Sequence, residues 1–120
     1  HDLLDGSGRQ VVTVESRQAW ADRYSQLRAD WHAIEVCEDP AASPRLDEEW
    51  GVVFVDHAPG ETRRTAIERA RDLADYVVVH DTEELSYGVE PALASMRYRR
   101  DFRRARPWTT VTSETMLVWR

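Results

Sequence analysis

Lysine is absent from this chain: all sixteen basic side chains are arginine. That removes every mechanism resting on a Schiff-base or general-base lysine, although a GC-rich bacterial coding sequence would produce the same bias without any functional cause. Cysteine is nearly absent too. The single Cys37 has no partner for an internal disulfide, so a reducing, cytoplasmic setting is the expectation. No apolar run approaches the roughly 20 residues of a membrane-spanning helix, and no basic-plus-apolar leader opens the chain. Positive charge is also in deficit. A net charge of −6 argues against a nucleic-acid binder, whose phosphate-neutralising surface makes the domain basic. Glycine numbers only five, and Gly6-Ser7-Gly8 lacks the strand-before, helix-after context of a phosphate loop, so it reads as a turn.

What is present is the composition of an ordinary globular domain, 42% hydrophobic and 32% charged, long enough at 120 residues for one modest core. Residues 1–120 read as a single domain. Apolar or β-branched runs predict strands at Gln10–Glu15, His32–Val36, Gly51–Val55 and Tyr76–Val79. Thr109–Thr112 and Thr115–Trp119 read as a closing antiparallel pair. Helical spacing predicts helices over Ser16–Asp30, with Trp20, Tyr24 and Leu27 on one side, and over Glu61–Ala74, with Ala66, Ala70, Leu73 and Ala74. Asp2–Leu4 reads as a helix tail, and Asp39–Glu49 as a loop marked by Pro40 and Pro44. Strands alternating with helices in this order demand crossovers and a mostly parallel sheet. The fold class is therefore α/β, Rossmann-like, with antiparallel strands at the C-terminal end.

Ligands of open parallel sheets bind beyond the carboxyl ends of the strands, and acids collect at those ends here. The first strand ends at Glu15-Ser16, the second runs into Cys37-Glu38-Asp39, the third into Asp56-His57 and the fourth into His80-Asp81-Thr82. Glu15 has two readings: acceptor for a ribose diol, or a solvated acid favoured by a helix N-terminus. Asp56 and Asp81, with Thr82 or water, could share a hard divalent cation; the alternative is that they cap helices and bond loop amides. His57 and His80 are either site imidazoles or partly buried, hydrogen-bonded side chains. Arg97, Arg99, Arg100, Arg103, Arg104 and Arg106, interleaved with Tyr98 and Phe102, either grip an anion or form a solvated face balancing the acids of Glu35–Glu49. Trp31, Trp50, Trp108 and Trp119 read as packing residues.

Taken together, VVTVES, a helix, IEVCED, WGVVFVDHAPGE, a second helix and DYVVVHDTE resemble strands two to five of class I S-adenosylmethionine-dependent methyltransferases, nearest the catechol O-methyltransferase-like branch. The likeness covers about residues 1–85, with TTVTSETMLVWR in the place of strands six and seven. It implies a methyltransferase using S-adenosylmethionine, acting on an oxygen or nitrogen of a small-molecule acceptor. It implies cofactor contacts from Glu15, Ser16, Glu38, Asp39, Asp56 and His57, catalysis by His57, His80 or Asp81, and magnesium on Asp56, Asp81 and Thr82. Pro59 stands where the catechol enzymes carry a general-base lysine, and Thr82 where they carry an asparagine ligand. The glycine-rich first strand of that family would precede residue 1, and without it a sheet edge would be left for a second copy or another partner to cover.

Overall fold

The computed structural model describes residues 8–115, an α/β arrangement with two sheets. The first strand, β1 (Val11–Glu15), leads through α1 (Gln18–Arg23) and a short 3-10 turn to β2 (His32–Val36). Two further 3-10 turns precede β3 (Trp50–Val55), which α2 (Arg63–Ala70) connects to β4 (Ala74–His80). Then follow α3 (Glu90–Ala94), β5 (Tyr98–Phe102) and β6 (Thr109–Ser113). Strands β1 and β2 pair in parallel as one sheet. The other sheet has the order β3-β4-β6-β5, parallel between β3 and β4 and antiparallel elsewhere.

The single sheet expected from the sequence is thus corrected to two. Strands β1 and β3 do not pair; they face each other across an open cleft of about 1410 Å³ lined by both along their length. Both connections still run strand–helix–strand to a parallel neighbour, so the crossover logic of the sequence holds within each half.

The core lies on one face of the larger sheet. Residues Val77 and Val79 of β4 stand opposite Thr112 and Thr110 of β6, so all four share that face, and all are fully buried. Against them pack Ala66, Ile67 and Ala70 of α2 and Ala92 and Leu93 of α3. The buried hydroxyl of Thr112 donates to the Val77 carbonyl and that of Ser113 to the Asp75 carbonyl. Polar residues therefore enter β6 with their hydrogen bonds made, as burial requires.

Both helices are shorter than their apolar spacing suggests. Helix α1 stops at Arg23 because only Ala21 is buried on it, while Trp20 and Tyr24 stay exposed. A helix that short has no means of sustaining further turns without a packed face. Helix α2 ends at Ala70, and β4 begins four residues later. The expected Asp39–Glu49 loop contains 3-10 turns at Pro40–Ala42 and Pro44–Asp47, each opened by proline after Asp39 or Ser43, whose side chains accept the cap bonds. Both edges of β6 are taken, by β4 and β5, so the expected closing hairpin is corrected: β6 pairs with the arginine-rich strand. Of its other expected half only Thr115 lies within the described residues, and the Asp2–Leu4 helix tail lies outside them.

Ile67 is wholly inaccessible beneath Val55, Val77 and Leu93. Ile67→Ala is expected to cost about 2–5 kcal/mol, read as a lowered midpoint in urea unfolding with an unchanged slope.

Candidate functional site

The carboxyl ends of β3 and β4 meet over the first turn of α2, and Arg63 sits at the meeting point. Its side chain is only 6% exposed. The Nε donates to the His57 carbonyl at 2.8 Å and Nη1 to the His80 carbonyl at 3.1 Å, so one guanidinium ties the last turns of both strands. The same group lies 3.6 Å from a carboxylate oxygen of Asp56 and 3.6 Å from one of Asp81. Its Cζ stands 4.5 Å from the ring centre of Tyr87, a cation–π contact. Tyr87 in turn is pressed against Gly60 so closely that a Cβ there would collide with the ring. Glycine at 60 is a packing requirement.

Around this arginine the acids and imidazoles converge. Asp81 adopts a left-handed backbone, φ 58°, which Asp tolerates better than most residues. That bend carries its carboxylate back toward β3. Ligand atoms of Asp56, His80 and Asp81 all lie within 4.8 Å of one another. His80 Nδ1 is 3.1 Å from Asp81 Oδ2 and 3.2 Å from Asp56 Oδ1. Neither approach is aligned as a hydrogen bond, so this buried nitrogen is close to two acceptors and bonded to neither.

His57 is held differently. Its Nε2 is 2.8 Å from the Thr62 hydroxyl, which itself donates to the Pro59 carbonyl at 2.8 Å. Because a hydroxyl has one proton, Thr62 must accept from His57. That fixes the proton of the neutral ring on Nε2 and leaves Nδ1 as an acceptor. Burial pushes the imidazole below its usual value and the nearby Arg63 charge pushes the same way, against weaker pulls from Asp39 and Asp56.

Across the cleft, Glu15 ends β1 and faces Asp56. Burial raises its carboxyl above the ordinary range, and repulsion from Asp56 adds to this. Ser16 lines the cleft beside it and is half-buried. At the end of β2, Glu38 is exposed, whereas Asp39 is half-buried and accepts from the Ala41 amide.

The sequence-expected residues therefore divide into three groups. Asp56, His57, His80 and Asp81 form one cluster, with Glu15 and Ser16 on the opposing lip. Asp39 acts locally as a turn cap, within electrostatic reach of His57. Thr82 has its hydroxyl 3.1 Å from that of Thr110, which also meets Asp101 at 2.6 Å. Arg63 was not visible as a site residue in the sequence. It is one arginine among sixteen, and only its place at the start of α2, six residues after Asp-His, distinguishes it.

Magnesium does not fit this cluster. It favours an all-oxygen octahedron, whereas the donors are two carboxylates and an imidazole, and a guanidinium already faces both carboxylates. The arginine-rich segment forms β5, the outer strand of its sheet. Arg99 is committed to Glu90 and Asp101, Arg103 to Asp101, and Arg97, Arg100 and Arg103 stack on Tyr98, Phe102 and Trp108. Arg104 and Arg106 are exposed in the loop that follows β5. Among the described residues, no helix is long and apolar enough to cross a membrane.

Comparison with known proteins finds no matching family model, no matching curated protein and no matching solved structure.

Two outcomes follow. Arg63→Met is expected to lose about 3 kcal/mol of stability, the scale for removing one partner of a buried charge network. Arg63→Lys should recover only part, since an ammonium lacks the fork that spans two carbonyls; urea unfolding of both variants checks this. For His57, the unfolded chain takes up a proton near pH 6.5 and the folded chain only at lower pH. Its contribution to stability is complete above 6.5 and lost as pH falls through the folded value. Two-dimensional NMR titration of the imidazole should give a midpoint below 6.5, rising toward it in Arg63→Met.

Proposed function

We propose that this chain is a class I methyltransferase-like α/β protein whose strand-end cluster binds S-adenosylmethionine beside a small-molecule nucleophile. The observation that carries the reading is the convergence of acids and imidazoles at the carboxyl ends of parallel strands: Glu15, Asp56 and His57 line one cleft, and His80 and Asp81 cluster with Asp56 beside it. Strand order supports it as well. If β1 to β4 stand for strands two to five of a Rossmann-like sheet, their arrangement reads 3-2, gap, 4-5, and the doubly wound order has its first strand at that gap.

The residues suit the adenosyl end of such a cofactor. Glu15 has a carboxylate that accepts no hydrogen bond among the described residues and whose ionised form is held back by burial. A ribose diol would supply two donors to it, relieving both burdens. Glu38, exposed at the end of β2, and Ser16 are the candidate neighbours of the adenosine. When bound, S-adenosylmethionine supplies an electrophilic methyl group on a sulfonium. The chain's own part is orientation and proton removal, and proximity alone accounts for a large share of such a rate. His57, neutral at pH 7 with Nδ1 free to accept, is the preferred base for the acceptor's oxygen or nitrogen proton. His80 and Asp81 are the alternatives on the same rim. Asp56, paired with Arg63, is assigned to holding the ligand.

Calorimetry with S-adenosylhomocysteine tests the reading. Glu15→Gln is expected to weaken binding at least tenfold, on the scale of two charge-assisted hydrogen bonds. Its unfolding midpoint at pH 7 should be no lower than that of the parent, because the ionised carboxylate it replaces is disfavoured by the fold. Equal binding by both proteins, or none by either, would overturn the assignment.

A further inference from the structure

The pairing registers divide the larger sheet into two faces. Val77, Val79, Thr110 and Thr112 face the helices and are fully buried. Phe54, Val78, Val111 and Arg100, which form one row across the four strands, therefore share the other face. Tyr98 and Phe102 stand on that face too, on either side of Arg100 along β5. Three of the seven large hydrophobic side chains exposed among the described residues lie on it: Val52 and Phe54, each 57% exposed, and Phe102, 49% exposed.

Arginine collects along one edge of the same sheet. Residues 97–106 hold six of the sixteen arginines and a single acid, Asp101, so a net charge of −6 conceals a basic edge on an acidic remainder. Asp101 lies on the helix-covered face, where it is occupied by Arg99 and the Thr110 hydroxyl. Arg97 and Arg100 have no ion pair among the described residues. Each lies over a ring instead, Arg97 over Tyr98 at 5.3 Å and Arg100 over Phe102 at 5.5 Å. A guanidinium stacked in this way keeps its in-plane N–H donors for a phosphate. Arg104 and Arg106 add two exposed charges beyond the end of β5.

We propose that this open face binds single-stranded nucleic acid, with bases stacked on Phe54 and Phe102 and phosphates held by Arg97, Arg100 and the arginines of the following loop. The two rings stand on the outer strands, three strand spacings or about 14 Å apart. Val78, Val111 and the ring of His80, which meets Phe54 edge-on at 6.1 Å, fill the ground between them. A strand crossing the sheet from β3 to β5 would therefore lay a base beside His80. Asp56 and Asp81 repel phosphate at that end, which confines the backbone to the arginine side. Stacking and charge together select this partner. An acidic polypeptide would satisfy the arginines but offer the rings no planar face, an apolar segment would cover the rings but leave the guanidinium groups unmet, and a duplex hides its base faces. Single strands are held by this combination of rings and cations. The proposal does not rest on the cofactor reading.

The test is fluorescence anisotropy of the 120-residue chain with labelled oligothymidylate and oligouridylate, against a duplex of equal length and labelled polyglutamate. Both single strands are expected to bind at low salt, at least tenfold more tightly than the duplex or the polyglutamate. Phe54→Leu and Phe102→Leu remove a ring but keep an apolar side chain; each is expected to weaken binding about tenfold without lowering the urea midpoint. Phe102→Tyr, which keeps the ring, should retain the affinity. Arg100→Gln should reduce the slope of log affinity against log salt by about 0.7, the share of one single-strand phosphate contact. No binding at low salt overturns the proposal, as a face covered by the chain itself or by a second copy would produce. Equal binding of polyglutamate overturns it in favour of an acidic polypeptide, and equal binding of the duplex or unchanged affinity in both leucine variants leaves charge alone. S-adenosylhomocysteine titrated into the same samples separates the two proposals, since either ligand can bind while the other fails.

Discussion

A single buried cation organises the strand ends of this fold. Removing an arginine from water costs several kcal/mol unless its surroundings replace what hydration supplied. Around Arg63 they do so in kind: two backbone carbonyls accept, two carboxylates balance the charge, and the Tyr87 ring covers one face. These partners come from three separate stretches of chain. The carbonyls come from the ends of β3 and β4, the ring from the turn before α3, and Gly60 leaves the space in which that ring lies. The arginine therefore needs the correct tertiary arrangement to be tolerable, and the arrangement needs the arginine to hold two strand ends at one distance.

The same charge decides which chemistry the rim can perform. Asp56 and Asp81, next to a fixed positive group, have little reason to gather a further cation. His57, next to that same group and half-buried, stays neutral where an ordinary imidazole begins to protonate. On the opposing lip, burial drives Glu15 toward its neutral form. Both shifts have desolvation as the leading cause, and both lower the charge the rim presents on its own. Among the described residues, the acceptors Glu15 and His57 Nδ1 keep hydrogen-bonding capacity that no side chain meets, and the proposed ligand, rich in hydroxyl and amine donors, would satisfy it.

Much of this was legible from the residues, for identifiable reasons. The runs GVVFV and YVVV are apolar without interruption, VVTVE is rich in β-branched residues and HAIEV is the weakest of the four, and strands flanked by such helices have few other solutions. The acids at their ends followed from chain order alone. Three features were not legible. β5 reads Tyr-Arg-Arg-Asp-Phe, and its arginines look solvated until Glu90 and Asp101 are seen beside Arg99. Helix lengths were overestimated because periodicity reports which face is apolar, not whether a partner exists to bury it. Arg63 was hidden by the chain's abundance of arginine; burial, the property that sets it apart, is tertiary.

The division into two sheets keeps two like charges apart. Pairing of β1 with β3 directly would bring the Glu15 and Asp56 backbones to the 4.7–4.9 Å of adjacent strands, and like charges directly opposite one another destabilise a sheet. Across the open cleft the repulsion remains as the lesser of the two causes that raise the Glu15 carboxyl. Removing water from the cleft would strengthen every interaction at its mouth, since attraction and repulsion alike grow as the local dielectric falls. Whatever fills the cleft therefore also tunes the acids at its end.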